Sequence, residues 1–455
     1  MTHALLRNIT AFNPCMVRGE GIYLFDSDGK RYIDGASGSA LVCNIGHGVK
    51  EVAAVMTPQA AVLAYNPFHC SHSQAYEEMS RRLIGLAPGR FGKVFSVSSG
   101  SEAVENAVKF ARQYHVARGR PAKHLVISRW QSYHGNTLGA AACSGYTARR
   151  RRHAPLLKDA VHIPPAFCYR CYFELTYPSC GLKCARALEN AILQEGPENV
   201  SAFIAEPVVG AALGGAPAPP GYFEKIREIC DACDVLFIAD EVMCGLGRTG
   251  AAFAIEHWSA TPDLIAAGKG LGSGYFPMAA CLVSDKVADT MQAQGAAFEG
   301  VHTCCGHLLG SRLATAVMDY LEKNQLVRNS REQGERLLRG LAALRDSRPS
   351  IGDVRGRGLM CGVEFVQDKV AKRPYPPELK VAERVMDACL ERGLIVYPGH
   401  GTVDGVAGDH LLIGPPLVIT AGQVADILAI LSDAIGAVER ELPAQRSLAG
   451  KGEFV

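Results

Sequence analysis

The chain has 455 residues, 48% of them hydrophobic and 20% charged, which is typical of a soluble globular protein with about two to three domains. Its 47 basic and 45 acidic residues leave a net charge of +2, so nothing in the charge indicates nucleic-acid binding or a disordered acidic tail. No apolar run approaches the length of a membrane span and the N-terminus lacks the apolar core of a signal peptide, so we expect a cytoplasmic protein with no membrane partner.

The first 70 residues predict a hairpin, a glycine-rich loop and part of a pocket. Two short alternating runs flank Asp28-Gly29, a dipeptide typical of tight hairpin turns. The stretch 35–48 holds four glycines and indicates a loop. Leu41 on this loop is a candidate for lining an apolar or mixed substrate pocket, together with Tyr65 and Phe68. The alternative for all three is plain packing.

A strand that runs into a serine and glycine turn predicts an anion site. The strand 94–97 leads into this turn, and a helical pattern follows it. Unpaired backbone N–H groups and the positive end of the helix dipole favour an anion at such a turn. Gly100 permits close approach of the ligand, and the hydroxyls of Ser99 and Ser101 can add hydrogen bonds. The alternative is an N-cap without a ligand.

Aromatic and basic residues follow the next predicted strand. The strand 124–128 precedes Tyr133 and His134, and such residues just past a strand end can stack on a planar ring. The alternative is a turn with one buried tyrosine. Further on, the arginine run 149–152 indicates a solvated face or an interface loop, and its alternative is a funnel for an anionic substrate.

Three more apolar runs end close to a charged residue. They end at Glu206, at Asp240 and, after one glycine, at Lys269. Runs of this length bounded by glycine indicate strands buried on both faces, and the helical segments between them predict a mostly parallel sheet with right-handed crossovers. Ligands of open α/β sheets bind outside the carboxyl ends of the strands. We therefore expect Asp240 and Lys269 to share one crevice.

Beyond a further strand the pattern changes to a smaller α+β unit. Its predicted elements are a strand at 278–284, a long helical tract at 307–345, strands within 353–366, a helix at 378–392, strands at 394–397 and 410–413, and a last helix with a capping box at Thr420 and Gln423. The chain therefore divides into an N-terminal arm and small-domain segment (1–58), a large α/β domain (59–309) and a C-terminal small α+β domain (310–455).

Together these residues fit the chemistry of pyridoxal 5′-phosphate (PLP). A lysine amine forms a Schiff base with an aldehyde cofactor. A carboxylate beside the pyridine nitrogen keeps that nitrogen protonated, so the ring withdraws electrons from the bond being broken. A helix start rich in glycine and serine holds the phosphate. We therefore assign Lys269 and Asp240 as candidate catalytic residues, with Tyr133 and Val242 covering the two ring faces.

Several stretches between 98 and 303 match one family in the family's own order. They are Ser98-Ser-Gly-Ser-Glu-Ala103, Tyr133-His-Gly-Asn-Thr137, Glu206-Pro-Val208, Asp240-Glu-Val-Met-Cys-Gly-Leu-Gly-Arg-Thr-Gly250, Ala267-Gly-Lys-Gly270 and His302-Thr303. The chain thus resembles the class III aminotransferases of PLP fold type I, nearest the omega-transaminase (amine:pyruvate) branch. The resemblance implies an α/β protein whose large domain has a mostly parallel central sheet, with a smaller α+β domain, the cofactor PLP and a homodimer with shared active sites.

The resemblance also implies a role for each candidate residue. Lys269 would be the Schiff-base lysine, and Asp240 would contact the pyridinium nitrogen. Glu206 would lie near the cofactor and help to position Asp240 or nearby waters. The cofactor-binding set would be Ser99, Gly100, Ser101, Tyr133, His134, Glu206, Asp240, Val242, Lys269 and, from the neighbouring subunit, Thr303.

The implied activity is amino-group transfer from a primary amine or omega-amino acid to a keto acid such as pyruvate. The freed Lys269 amine would remove the α-proton and return it to the cofactor, acting as general base and then as acid. The nearest alternative is a PLP-dependent lyase, epimerase or aminomutase on the same scaffold. An alternative outside enzymology is a regulatory protein with a decayed site, which would be expected to lose Lys269 or Asp240.

Three positions depart from the family pattern in ways that bear on the substrate. Met243 and Ala211 replace the glutamine and glutamate common in relatives selective for omega-amino acids. The amine:pyruvate branch usually carries a mobile arginine shortly before Gly-Asp-His in the small domain, but the stretch 403–410 contains none. Its loss removes a bidentate clamp for the keto-acid carboxylate. Arg355 and Arg357 are candidate replacements, and their alternative is a structural role.

Sixteen cysteines are many for a chain of this length, and in a reducing compartment most should be small buried hydrophobes. Four of them lie in two close pairs at Cys168, Cys171, Cys180 and Cys184. Four thiolates can hold zinc or an iron–sulfur cluster, but common zinc-ribbon spacing is wider. The alternatives are four free thiols or two redox-labile disulfides, and we expect no metal in the active site.

Overall fold

The computed structural model describes residues 3, 13–158, 160–295 and 297–442. The described part begins with a three-stranded antiparallel meander, which contains the expected hairpin. Asp26 stabilises the hairpin turn because its Oδ1 accepts hydrogen bonds from the backbone N–H groups of Asp28 and Lys30, at 3.0 and 2.9 Å. The N-terminal elements are β1 (Met16–Glu20), β2 (Tyr23–Asp26), β3 (Arg31–Asp34), a short helical turn (Ser37–Leu41), α1 (Lys50–Ala53) and α2 (Met56–Val62).

The middle of the chain alternates strands and helices, as the apolar runs predict. Its elements are α3 (Gln74–Ile84), β4 (Phe91–Val97), α4 (Gly100–Ala117), β5 (Leu125–Arg129), α5 (Leu138–Cys143), α6 (Thr147–Arg150), a turn (Ala154–Leu156), β6 (Val161–Ile163), α7 (Lys183–Glu195), β7 (Val200–Ala205), β8 (Val208–Val209), β9 (Ala216–Pro217), α8 (Tyr222–Ala232), β10 (Leu236–Asp240), a turn (Ala254–His257), β11 (Leu264–Ala267), a turn (Lys269–Leu271), β12 (Ala279–Ser284) and α9 (Asp285–Ala293).

Seven of these strands form one large sheet. Their order is β4-β12-β11-β10-β7-β5-β6. The strands from β11 to β6 pair in parallel, and β12 is antiparallel to both of its neighbours. The prediction of a mostly parallel central sheet is therefore confirmed. Along the chain, β6 lies on one side of β5, whereas β7, β10 and β11 follow on the other side. The strand order therefore reverses at β5, and a crevice is expected at the carboxyl ends of these parallel strands.

Helices cover both faces of the large sheet, which is why the central strands β7, β10 and β11 are buried at every position. Every residue of β10 is buried. Successive residues of this strand face opposite sides, since Ile238 belongs to the core cluster that contains Val104 of α4. Phe237 belongs to the other cluster, which contains Phe223 of α8. A strand buried on both faces loses the alternation of a half-exposed strand.

The C-terminal part is a smaller α+β unit with a four-stranded antiparallel sheet of order β13-β14-β17-β16. Its elements are α10 (Leu308–Lys323), α11 (Leu326–Ser347), β13 (Ile351–Arg357), β14 (Met360–Phe365), a turn (Pro377–Leu379), α12 (Val381–Glu391), β15 (Leu394–Ile395), β16 (Tyr397–His400), β17 (Asp409–Ile413) and α13 (Ala421–Glu441). The tract predicted as one helix over 307–345 is two helices, because Gln325 adopts a left-handed conformation (φ 51°) between them. The predicted capping box at Thr420 and Gln423 is confirmed.

Two features join the small unit to the rest of the chain. β15 pairs in parallel with β3, so the N-terminal meander and the C-terminal part share a second sheet.

α13 is long and apolar enough to cross a membrane by length and composition (mean hydropathy 1.5). Its residues Ile427, Leu431 and Ile435 are nevertheless buried in the main hydrophobic core, so it packs as a core helix. The domain boundaries at 58/59 and 309/310 stay predictions.

A half-buried ion-pair cluster ties β16 to α12. The imidazole of His400 lies 2.7 Å from Glu383 Oε1 and 2.8 Å from Asp409 Oδ1. The other carboxylate oxygen of Asp409 accepts the backbone N–H of Val381 at 2.7 Å, at the start of α12. The hydrogen bonds that the imidazole donates to Asp409 and Glu383 raise the pKa of His400 to about 9, because they favour the charged imidazolium.

Candidate active site

A cavity of about 320 Å³ opens at the carboxyl ends of the central strands. Asp240 is the last residue of β10, Glu206 follows β7 directly, and Lys269 follows β11 after one glycine. The residues that line the cavity are Ala40, Gly100, Ser101, Tyr133, His134, Gly135, Tyr146, Arg149, Glu206, Ala211, Asp240, Val242, Met243, Lys269 and Tyr397. The structure thus brings the predicted lysine and carboxylate into one cavity.

Asp240 is held in one orientation by two hydrogen-bond donors. Its Oδ2 lies 2.7 Å from Nδ1 of His134, and its Oδ1 accepts the backbone N–H of Val242 at 3.0 Å. Asp240 and His134 are both only 3% exposed. These two hydrogen bonds satisfy a carboxylate that burial has removed from water. His134 therefore positions the Asp240 carboxylate. The sequence motif indicated only that His134 could stack on a planar ring.

Lys269 stands at a strained point of the chain. Its backbone adopts a left-handed conformation (φ 40°), which costs a residue with a Cβ of the order of 1 kcal/mol and is found mainly at functional sites. Burial lowers the pKa of Lys269 from its ordinary value, and the nearby carboxylates of Asp240 and Glu206 oppose that shift. The result is an amine that loses its proton more readily than a surface lysine.

The N-terminus of α4 approaches Val242 across the cavity. A Cβ on Gly100 would lie 2.5 Å from Cγ1 of Val242, so only glycine fits there without movement. The hydroxyl of Ser101 accepts the backbone N–H of Asn136 at 3.0 Å and thereby holds the turn that follows Tyr133. The first backbone N–H groups of a helix have no partner within the helix, so this end of α4 suits an anion.

Ser99 has a different place from the one expected. Its hydroxyl accepts the backbone N–H of Glu102 at 3.2 Å, and the Glu102 carboxylate accepts the backbone N–H of Ser99 at 3.0 Å. This is a complete capping box. Ser99 does not line the cavity. Of the two interpretations of its hydroxyl, the structure therefore shows the N-cap.

Glu206 organises the backbone on one side of the cavity. One of its carboxylate oxygens accepts the N–H of Tyr133 and the other accepts the N–H of Gly210, both at 2.9 Å. Burial raises the pKa of Glu206 above its ordinary value, since a charged carboxylate loses hydration there. Glu206 thus fixes the loop that carries Tyr133. The expectation that Glu206 helps to position Asp240 or nearby waters stays a prediction.

Four other predicted residues lie outside this cavity. Leu41 is fully buried in the core, and Phe68 packs edge-to-face on Phe95. Tyr65 is 46% exposed and its hydroxyl donates to the backbone carbonyl of Thr303 at 2.5 Å. Thr303 is exposed and does not line the cavity of its own chain. The expected contact of Thr303 with a neighbouring subunit's phosphate stays a prediction.

The cavity also contains residues that the sequence did not single out. Tyr146 and Tyr397 come from segments far apart in the chain, and neither has a motif that marks it. Ala40 lies beside the predicted Leu41. Arg149 belongs to the arginine run 149–152 and lines the cavity. The alternative interpretation of that run, a funnel for an anionic substrate, was the sequence signal that could have identified it.

The proposed substitutes for the missing arginine are engaged elsewhere or exposed. Arg355 is 8% exposed, ion pairs with Asp353 and Glu364 at 2.7 and 2.9 Å, and donates to the backbone carbonyl of Leu213. Arg357 is exposed at the end of β13. Arg355 therefore has the structural role that was its alternative.

All sixteen cysteines are free thiols. The four of the close pairs lie near one another, with Cys168 exposed and the other three half-buried. Burial raises the pKa of Cys184 to about 11, so it is protonated at neutral pH. In the part of the chain that the structure describes, no group of three or more His, Cys, Asp or Glu residues is arranged to hold a metal ion.

The fold and the cavity define an α/β enzyme in which a lysine amine and a fixed carboxylate converge at strand ends. The chain belongs to the class III aminotransferase family, since the model of that family (aminotransferase class-III) matches residues 6–435. The resemblance seen in the motifs is therefore confirmed, and the protein is an aminotransferase. The predicted PLP fold type I is confirmed by the structural likenesses below.

Named relatives and solved structures agree over nearly the whole chain. An uncharacterized aminotransferase, YodT of Bacillus subtilis, is 38% identical over 429 residues, which are 94% of this chain and 96% of the relative. The taurine–pyruvate aminotransferase of Bilophila wadsworthia is 34% identical over 440 residues, 94% of each chain. An omega transaminase from Pseudomonas jessenii, solved in complex with PMP, is 32% identical with a TM-score of 0.88, covering 96% of this chain and 97% of that one.

Proposed function

We propose that this aminotransferase moves an amino group from a primary amine or omega-amino acid to a keto acid such as pyruvate, using PLP bound through Lys269. The observation that carries the proposal is that Lys269 and Asp240 line one cavity beside the N-terminus of α4. Relatives add support, because one is named a taurine–pyruvate aminotransferase and a solved neighbour is an omega transaminase in complex with PMP. The family does not favour the lyase, epimerase or aminomutase alternative.

The cavity fits PLP in charge and in shape. His134 Nε2 is buried and has no hydrogen-bond partner among the described protein atoms, so a polar group has room to bond there. Gly100 lacks the Cβ that would press on Val242, which leaves the backbone of α4 open to a phosphate. Tyr133 and Val242 line the cavity as the two candidates for covering a planar ring.

The chain's own residues then have distinct tasks. Bound PLP supplies an electron-withdrawing ring that stabilises negative charge on the substrate carbon next to the amine. The Asp240 carboxylate would face the ring nitrogen and favour its protonated form, and His134 fixes that carboxylate. The Nζ of Lys269 would take the proton from the substrate carbon and deliver it to the cofactor, which its lowered pKa favours near neutral pH. Gly100 and Ser101 offer backbone N–H groups to the phosphate.

A homodimer and a cytoplasmic location are part of the same proposal. Thr303 is exposed outside its own cavity, and its backbone carbonyl accepts a hydrogen bond from the Tyr65 hydroxyl. This exposure supports the proposed contact with a neighbouring subunit. The sixteen free thiols support a reducing compartment. Size-exclusion chromatography with light scattering should give a dimer. Mixing Lys269→Ala and Thr303→Ala subunits should restore part of the activity through one intact shared site.

The central experiment follows the cofactor and one half-reaction. Purified protein should be yellow, and borohydride should fix the cofactor covalently on the peptide that contains Lys269. Lys269→Ala should lose both properties, whereas the surface control Lys225→Ala should keep them. An amine donor added alone should consume the yellow form and release its carbonyl product. Ammonia release or epimerisation, without such a half-reaction across a broad donor panel, would instead establish the alternative chemistry.

A further inference from the structure

Among the described residues that line the cavity of the proposed keto-acid aminotransferase, one permanently charged cation stands beside the reacting amine of Lys269. Among the described residues that line it, the only arginine is Arg149. A keto acid or amino acid substrate brings a carboxylate, whose burial is costly without a positive partner. The family's usual arginine is missing from 403–410. Arg149 is therefore the candidate positive partner for the substrate carboxylate.

Arg149 is held at the cavity by a neutral partner. It lies in α6, which is a single short turn between α5 and β6, and is half-buried. Its guanidinium donates to the hydroxyl of Tyr397 at 3.1 Å. In the ranges that the structure describes, no Asp or Glu lies within ion-pair distance of Arg149. A guanidinium has five N–H donors, so several remain available to a bidentate anion.

The other arginines of the run point elsewhere. Arg150 donates to the backbone carbonyl of Ser144 and to the imidazole of His162, both at 3.1 Å, and stacks over Trp130. Arg151 and Arg152 are exposed. The run is thus not a uniform solvated face. Of its four side chains, that of Arg149 lines the cavity, and the exposed Arg151 offers a matched control.

The position of α6 explains how an arginine there can replace one in the small domain. The loop 401–408 folds back on α6, because a Cβ on Gly405 would lie 2.4 Å from Oγ1 of Thr147. Thr147 is the first residue of α6, two positions before Arg149. Gln131 also donates to the backbone carbonyls of Gly401 and Thr402 at 2.8 and 3.0 Å. The arginine-free loop therefore packs against the start of α6, and of the two it is α6, through Arg149, that reaches the cavity.

From these contacts we propose that Arg149 binds the carboxylate of the keto acid and of carboxylate-bearing amino donors, with Tyr397 holding the guanidinium in place. The inference rests on the proposed function and adds its substrate class, namely monocarboxylates whose carboxylate points away from Lys269. The planar fork of Arg149 matches a carboxylate in two hydrogen bonds. Arg149 is a specificity residue, and substrates without a carboxylate do not depend on it.

The test compares half-reactions with and without a carboxylate. Arg149→Met should lower kcat/KM for alanine and for pyruvate on the order of 10- to 100-fold, as expected for losing hydrogen bonds to a charged group. The same variant should stay within about twofold of wild type for 1-phenylethylamine and for butanal, which lack the carboxylate. Arg149→Lys should recover part of the loss. Arg151→Met, the matched control, should behave as wild type with all four substrates.

A binding measurement without turnover completes the test. Calorimetric titration of the holoenzyme with propionate, an unreactive monocarboxylate, should show binding that weakens on the order of 10-fold in Arg149→Met and not in Arg151→Met. Equal losses with both substrate classes would show a structural role for Arg149 and overturn the inference, as would no loss at all. Failure of wild-type enzyme to react with any amine would instead overturn the proposed function.

Discussion

Gly100→Ala is the substitution whose effect follows most directly from the geometry of the cavity. The added Cβ would lie 2.5 Å from Cγ1 and 3.1 Å from Cγ2 of Val242, whereas carbon atoms in contact prefer about 3.5–4.0 Å. Val242 cannot simply withdraw, because its backbone N–H is bonded to Asp240. Either the start of α4 or the residues beside Asp240 must therefore move.

The size of the effect follows from the cost of overpacking. Forcing an extra methyl group into a packed site costs about 1–3 kcal/mol. Because about 1.4 kcal/mol corresponds to a tenfold change in an equilibrium constant, PLP affinity should fall roughly 5- to 150-fold. Spectroscopic titration of the apoprotein with PLP measures this. In a helix, alanine usually stabilises the fold by about 1 kcal/mol relative to glycine. The expected loss of PLP affinity is opposite in sign to that gain in stability.

Two variants make the Gly100 prediction specific. Gly422→Ala is the control, because Gly422 lies in α13 and a Cβ there meets nothing within 4 Å. It should leave PLP affinity unchanged and stability equal or slightly higher. Val242→Ala removes both clashing methyl groups, so the double variant Gly100→Ala/Val242→Ala should bind PLP better than additivity predicts. Wild-type affinity in Gly100→Ala, or strict additivity in the double variant, would refute the reasoning.

Three further predictions test single contacts. Ser99→Ala should lower the free energy of unfolding by about 1 kcal/mol through loss of the capping box, with PLP affinity unchanged; a large loss of affinity would show a ligand contact instead. Asp240→Asn should lower kcat/KM on the order of 100-fold or more with circular dichroism unchanged, since an amide cannot balance a positive ring nitrogen, and near-normal turnover would contradict this role. The raised pKa of His400, about 9, means that its ion pairs stabilise the fold fully below about pH 6.5 and that this stabilisation is lost as pH rises through 9. Urea unfolding across that range should show a smaller pH dependence for His400→Gln than for wild type, and identical slopes would rule the contribution out.

Much of the fold is readable from local patterns. The strand β10 is apolar up to its last residue, Asp240, and β11 is apolar at every position, since both sheet faces are covered by helices. Such runs are visible without any tertiary information. The glycine turn before α4 and the capping box at Thr420 are likewise set by neighbouring residues. The helical tract at 307–345 shows the limit, because its apolar spacing continues across the left-handed break at Gln325.

The interior contacts of the site were not readable in the same way. A motif that places Tyr133 and His134 after a strand does not show that His134 bonds Asp240 or that Glu206 holds the amide of Tyr133. Those pairs are separated by 106 and 73 positions in the chain. A hydrogen bond between such residues depends on how the strands are ordered in the sheet.

The sequence by itself determined the family, the parallel sheet and the pair Asp240 and Lys269, because each rests on residues adjacent in the chain. Tertiary structure alone decided which hydroxyl caps α4 and which arginine lines the cavity. Arg149 and Tyr397 are 248 positions apart and meet only because the small unit folds back over α6. The residues at the strand ends are thus set by local sequence, whereas the side of the cavity that contains Arg149 and Tyr397 is assembled from distant segments.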